Sequence, residues 1–93
     1  MDTNVYQART AVKLLDDLVS AMEREGKGRL VRFGGSLTAT ATHLRLVLDG
    51  DDAVEHLAHR LGWEPRQGRR GARAFGRWLG GTLALSVAPE ARR

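Results

Sequence analysis

The sequence predicts an α+β domain of order α-β-β-α-β-β, with two helices packed on one face of a four-stranded, mainly antiparallel sheet. Three observations carry this expectation. Residues 4–25 repeat apolar side chains at helical spacing, and residues 52–61 do so over a shorter span. Residues 72–88, ARAFGRWLGGTLALSVA, alternate in the manner of a β-hairpin around Gly80-Gly81.

In the first helix Val5, Ala8, Val12, Leu15, Val19 and Met22 recur at spacings of three and four, and Ala11, Leu14 and Leu18 widen the stripe. Asn4 and Gln7 have the spacing of a reciprocal N-terminal cap. Gly26 and Gly28 end the helix, with Arg24 and Lys27 near the negative pole of its dipole. A stripe this wide suits packing on a sheet, while its regular spacing also fits a pair of helices from two copies.

Residues 29–37 and 42–49 read as two strands. Val31, Phe33, Gly35 and Leu37 share one face of the first, and Leu44, Leu46 and Leu48 share one face of the second. A tight turn at Gly34-Gly35 gives neither face an apolar character, so a bend or bulge is expected at these glycines, with the connection at Thr38–Thr42. Asp49, Asp51 and Asp52 then open the second helix, Asp52 and Glu55 having capping-box spacing. Val54, Leu57, Ala58 and Leu61 form its apolar face, Gly62 stops it, and Trp63 packs over that end. Residues 64–71, EPRQGRRG, are expected as an exposed basic loop.

In the hairpin a two-residue turn at Gly80-Gly81 pairs Leu79 with Thr82, Trp78 with Leu83 and Arg77 with Ala84. Ala74, Gly76, Trp78, Leu83, Leu85 and Val87 then face the core, while Arg73, Phe75 and Arg77 face outward. A one-residue slip would bury arginines. Gly76 leaves room for a close neighbour.

The 93 residues are expected to form one domain over 1–93, frayed at 1–3 and 89–93. A chain this short gains from shared burial, so a homodimer is expected through the N-terminal helix, the open sheet face, or both. With no cysteine there is no disulfide, thiolate metal site or thiol nucleophile. Met1 is followed by an acid, no signal peptide is evident, and no run nears the roughly 18 apolar residues of a membrane span. A cytoplasmic protein without membrane partners is the expectation.

The net charge of +4 is unevenly placed. Residues 1–64 hold ten acids and eight bases, a balance of −2, whereas 65–93 hold Glu90 and seven arginines, a balance of +6. The dominance of arginine over lysine also follows from a GC-rich genome, but the asymmetry does not. Layout and composition are similar to those of short proteins of GC-rich actinobacteria and their phages, and no motif carries a function across from them.

Candidate chemistry is sparse. His56 and His59 stand i, i+3 beside Glu55, short of the about four ligands zinc takes. The acids at 49–52 lack the glutamate that closes a calcium loop. Ser20, Ser36 and Ser86 have no activating pattern, and the glycine doublets lack the Lys-Ser/Thr of a P-loop. No enzyme, metal or cofactor is therefore expected.

The basic C-terminal part is the expected working surface. Arg66, Arg69 and Arg70 lie in the loop, and Arg73, Phe75 and Arg77 share the outer hairpin face. Arginines contact phosphates and an aromatic on a sheet face stacks on a base, which suits RNA or single-stranded DNA. The rival is a homodimeric interaction module or inhibitor (an accessory protein of a phage or mobile element) that docks on an acidic protein surface. Phe75, Leu79 and Leu30 are then interface residues.

Overall fold

The computed structural model of the chain describes residues 3–37 and 41–89, with side chains for 8–36 and 41–89. The elements are α1 (Thr3–Arg24), β1 (Leu30–Leu37), β2 (Thr42–Leu48), α2 (Asp51–Leu61), β3 (Arg66–Gly68), β4 (Gly71–Trp78) and β5 (Gly81–Val87). The sheet has five strands in the order β1-β2-β5-β4-β3. β2 and β5 run parallel, and the other neighbours run antiparallel. The α+β class therefore holds, whereas the expected four-stranded, mainly antiparallel sheet becomes a five-stranded mixed one. The two outer hairpins meet at β2 and β5, and the chain crosses between them through α2.

Both helices cover the same face. Ala11, Leu15, Val19 and Met22 of α1 and Ala53, Val54, Leu57 and Ala58 of α2 form one core with Leu44, Leu46 and Leu48 of β2, Ala72 and Ala74 of β4, and Leu83, Leu85 and Val87 of β5. Each Leu or Val so buried contributes about 1.5–3 kcal/mol of transfer free energy. The buried line of α1 is narrower than its apolar stripe, since Val12 and Leu14 are each 42% exposed. The expected Asn4–Gln7 cap lies outside the described side chains. So does most of the expected terminal fraying, although Thr3 already belongs to α1.

Two glycines take the left-handed backbone that ends a helix. Gly26 (φ 71) follows α1, and Gly62 (φ 78) caps α2. The main-chain bonds Lys27 N–H to Met22 O (3.1 Å) and Trp63 N–H to Ala58 O (2.8 Å) close the two ends in the same way. At the other end of α2 the capping residue is Gly50, with no side-chain cap, so the Asp52–Glu55 capping box does not form. The aspartates tie segments together instead. Asp49 accepts the Arg29 N–H at 3.0 Å, and Asp51 accepts the Ala72 N–H at 2.8 Å. Asp51 and Asp52 still sit in the first turn, where negative charge complements the helix dipole.

The bend in β1 falls earlier than its glycines. The register against β2 shifts between Leu30 and Arg32, so a bulge at Val31 puts Leu30, Phe33 and Gly35 opposite Leu48, Leu46 and Leu44. Val31 is left 45% exposed. The strands end at Leu37 and resume at Thr42, where the connection was expected; residues 38–40 of it lie outside the description.

Two further corrections concern the C-terminal third. The exposed loop expected at 64–71 contains β3, which pairs Arg66 with Arg73, Gln67 with Ala72 and Gly68 with Gly71. Three polar residues carry no alternation, and only the neighbouring β4 makes them a strand. The turn of the β4–β5 hairpin is Leu79-Gly80, at φ 48 and 82, with Trp78 opposite Gly81 and Arg77 opposite Thr82. The shift from the expected register is two residues on the facing strand, which leaves every side chain on its expected face. Gly81 is reserved for a different purpose: a Cβ there would land on the carbonyl of Thr42 in the neighbouring β2. Gly76 makes room for Trp63, whose ring carbons would lie 2.7 Å from an added Cβ.

Candidate nucleic-acid interface

The face of the sheet away from the helices is built from alternate positions of all five strands. The registers place them in three rows. Ser36, His43, Thr82 and Arg77 form one row across β1, β2, β5 and β4. Gly34, Arg45, Ala84 and Phe75 form the next. The third contains Arg32, Val47 and Ser86, and continues through Arg73 of β4 to its partner Arg66 in β3. These positions carry arginine and histidine and no acid. The described acids sit elsewhere, on the helices, at Glu25 just after α1, at Asp49 and at Glu64 beside the sheet.

Phe75 is 70% exposed in the middle row. Its strand neighbours on this face are Arg73 and Arg77, and its cross-strand partner is the small Ala84, with Arg45 one strand further. A small residue beside an aromatic ring leaves the ring's face open. In the adjacent row, His43 Nδ1 and Thr82 Oγ1 lie 2.9 Å apart in a hydrogen bond that steadies the imidazole over β5.

The turn between β3 and β4 extends this surface. Arg69 and Arg70 form its two-residue tip, and Gly71 takes the positive φ (108) that lets the chain re-enter the sheet. Arg69, Arg70 and Arg73 line a cleft of about 730 Å³ whose far wall is Arg32 and Val47. Arg45, Arg66, Arg73 and Phe75 line a second one on the other side of Arg73, with Glu64 as its one acid. Arg73 thus joins the two. Of the six residues singled out from sequence, five line these clefts, and Arg77 stands apart at the hairpin end.

Two arginines on this surface, Arg32 and Arg45, come from the half of the chain whose charges nearly cancel. A signal for Arg45 exists in the alternation of β2, where His43 and Arg45 interleave with buried leucines. Nothing local places it beside Phe75; that takes the parallel pairing of β2 with β5. His56 and His59 lie on α2, and among the described residues no three His, Cys, Asp or Glu gather as a metal site. Among the described residues no helix is long and apolar enough to cross a membrane. Comparisons with protein-family models, with curated proteins and with solved structures gave no match.

Proposed function

We propose that this chain is a small basic binding protein that holds single-stranded nucleic acid, RNA or DNA, against the uncovered sheet face. Arg66, Arg69, Arg70, Arg73 and Arg77 contact phosphates, joined by Arg32 and Arg45, and Phe75 stacks on a base. The observation that carries this reading is a ring 70% exposed at the centre of a sheet face whose described strand positions carry basic charges and no acid, with Glu64 alone beside them at the rim of the Phe75 cleft. Large aromatic rings in a monomeric fold are usually buried, and an exposed one between cations offers a stacking platform with phosphate partners on either side. Base–aromatic stacking is tolerant of sequence, so the binding is expected to be broad rather than sequence-specific. A cytoplasmic address and assembly as a homodimer belong to the same proposal.

The second reading is an interaction module or inhibitor that docks on an acidic protein. It is favoured by Leu79, which is 43% exposed at the hairpin tip beyond Arg77 and adds an apolar contact that nucleic acid does not need.

Titration of labelled single-stranded and duplex oligonucleotides at several salt concentrations separates the two. Single-strand affinity should fall linearly on a log–log plot with a slope of about −0.7 per phosphate contacted. The double variant Arg69→Gln/Arg70→Gln should lower that slope by about 1.4 and weaken all sequences alike. Absence of oligonucleotide binding at low salt would pass the surface to a protein partner, to be sought as acidic chains that co-purify without nuclease.

A further inference from the structure

The strand β1 forms one edge of the sheet and does little to keep another strand away. It is eight residues long with Arg32 as its only charge, and it exposes Val31 and Phe33 to 45% and 46%. The opposite edge, β3, is three residues long and begins with arginine. Short charged edges resist extension of a sheet, whereas long apolar ones invite it. The start of β1 is closed, because Leu30 donates its N–H to Glu23 at 3.1 Å and the bulge follows. The regular run through Phe33, Gly34 and Gly35 is where a strand can be added. Above it, α1 and β1 frame an apolar groove of about 130 Å³ between Val12, Leu15, Val19, Leu30 and Phe33, with Asp16 at its rim.

We propose that a second copy of the chain occupies this edge. The two β1 strands pair antiparallel about a two-fold axis that passes between the two copies of Gly34, normal to the sheet, and the two α1 helices pack on each other above the seam. Such an axis keeps both helical layers on one side.

Three independent features fit this arrangement. The first is lateral. α1 packs on both β1 and β2, so it rests over that pair, about half a strand spacing inside the edge. Half a spacing on each side plus one across the seam, at about 4.8 Å per spacing, separates the two α1 axes by about 10 Å. Packed helices lie roughly 8–10 Å apart.

The second feature is axial. Val19 and Leu30 line one groove with Val12 and Phe33. Seven residues of helix, from Val19 to Val12, advance about 10.5 Å. Because of the bulge, Leu30 to Gly34 spans only the three residues from Leu48 to Arg45 of β2, about 10 Å, so an axis at Gly34 passes close to Val12. Val12, 42% exposed, then meets its own copy.

The third feature is charge. On this flank of α1, Arg9 precedes Val12 while Lys13 and Asp16 follow it, and all four line one shallow hollow in which Asp16 is the acid that cations of the second copy can meet. Antiparallel helices crossing near Val12 bring Arg9 of each copy against Asp16 of the other. In the strands, Arg32 faces Ser36 of the second copy, so no like charges oppose. A foreign strand would satisfy the edge but not the self-complementary helix above it. The dimer does not depend on nucleic-acid binding, though it would place both basic sheet faces on one side of a ten-stranded sheet.

Two experiments test the arrangement. The chain has no cysteine, and a Cβ at Gly34 meets nothing within 4 Å, so Gly34→Cys adds one accessible thiol. Directly opposed Cα atoms in an antiparallel pair lie about 4.5–5.5 Å apart, inside the disulfide range of about 4.4–6.8 Å. Under mild oxidation Gly34→Cys should form a covalent dimer at least roughly tenfold faster than Arg60→Cys, which places its thiol at the end of α2. In sedimentation equilibrium the native chain should approach twice 10.2 kDa. Arg9→Glu and Asp16→Arg should each weaken self-association by roughly tenfold or more through like-charge contact. Their equimolar mixture should recover native affinity, because each copy then meets an opposite charge. A native mass of 10.2 kDa at high micromolar concentration overturns the proposal. So does Gly34→Cys cross-linking no faster than Arg60→Cys, or a mixture no tighter than its parents.

Discussion

Gly80 and Gly81 are neighbours in sequence but have different reasons to be glycine, and alanine at each separates them. Gly80 lies at φ 82 in the hairpin turn, where a Cβ costs about 1–2 kcal/mol. A Cβ on Gly81 would overlap the carbonyl of Thr42 and come within 2.8 Å of its nitrogen. Thr42 is 4% exposed and begins β2, so the obstruction is buried main chain that no rotamer change relieves. The ends of β2 and β5 must part. Overpacking alone costs about 1–3 kcal/mol. Parting the strands also strains the His43–Thr82 hydrogen bond beside the seam, worth about 1 kcal/mol. Gly81→Ala should therefore cost about 2–4 kcal/mol, a large part of the about 5–15 kcal/mol that holds a domain together. With a urea slope of about 1–1.5 kcal/mol/M, its unfolding midpoint should fall by about 2 M, against about 1 M for Gly80→Ala. If Gly81→Ala costs no more than Gly80→Ala at equal slope, Gly81 does not press on Thr42, and the parallel β2–β5 pairing is wrong.

Gly76→Ala should destabilise by about 1–3 kcal/mol by pressing on the Trp63 ring, and in a Trp63→Ala background the same change should be nearly neutral by equilibrium denaturation. Asp51→Ala should cost about 1.5–3 kcal/mol in the same assay, since it strips the part-buried Ala72 N–H of a carboxylate partner at 2.8 Å. Phe75→Ala should leave stability within about 0.5 kcal/mol and cost about 1–3 kcal/mol in single-strand affinity, with little effect on duplex. Arg45→Gln should lower the single-strand salt slope by about 0.7, whereas Arg60→Gln on α2 should not change it.

The helices were legible because their apolar spacing is a local property, and so were the glycines at 26 and 62 that end them. The bulge at Val31 was not, because bulging before the glycines or at them leaves similar apolar residues available. Only the leucines of β2 choose between the two registers. The aspartates at 49 and 51 read as helix caps from their position, yet they accept main-chain N–H groups about twenty residues away in sequence, at Arg29 and Ala72. A side-chain acceptor close to a helix start competes for whichever donor the fold brings nearest, and sequence spacing reveals only the local one.

The sequence by itself determined which side chains of β4 and β5 face inward, and hence that Arg73, Phe75 and Arg77 stand together on an outer face. That survives a misplaced turn because facing depends on parity along a strand, and a shift of two residues preserves parity. Tertiary structure alone decided which strands are neighbours. Pairing β2 parallel to β5 is a contact between segments nearly forty residues apart, and it depends on two leucine faces sharing the core beneath α1 and α2 and on Gly81 admitting the backbone of Thr42. That pairing carries Arg45 to Phe75 and Arg32 to the cleft of Arg69 and Arg70. It is also what leaves β1, long and nearly uncharged, at the edge of the sheet. Periodicity fixes the face a residue occupies, while the neighbour it meets across the sheet is set by non-local burial.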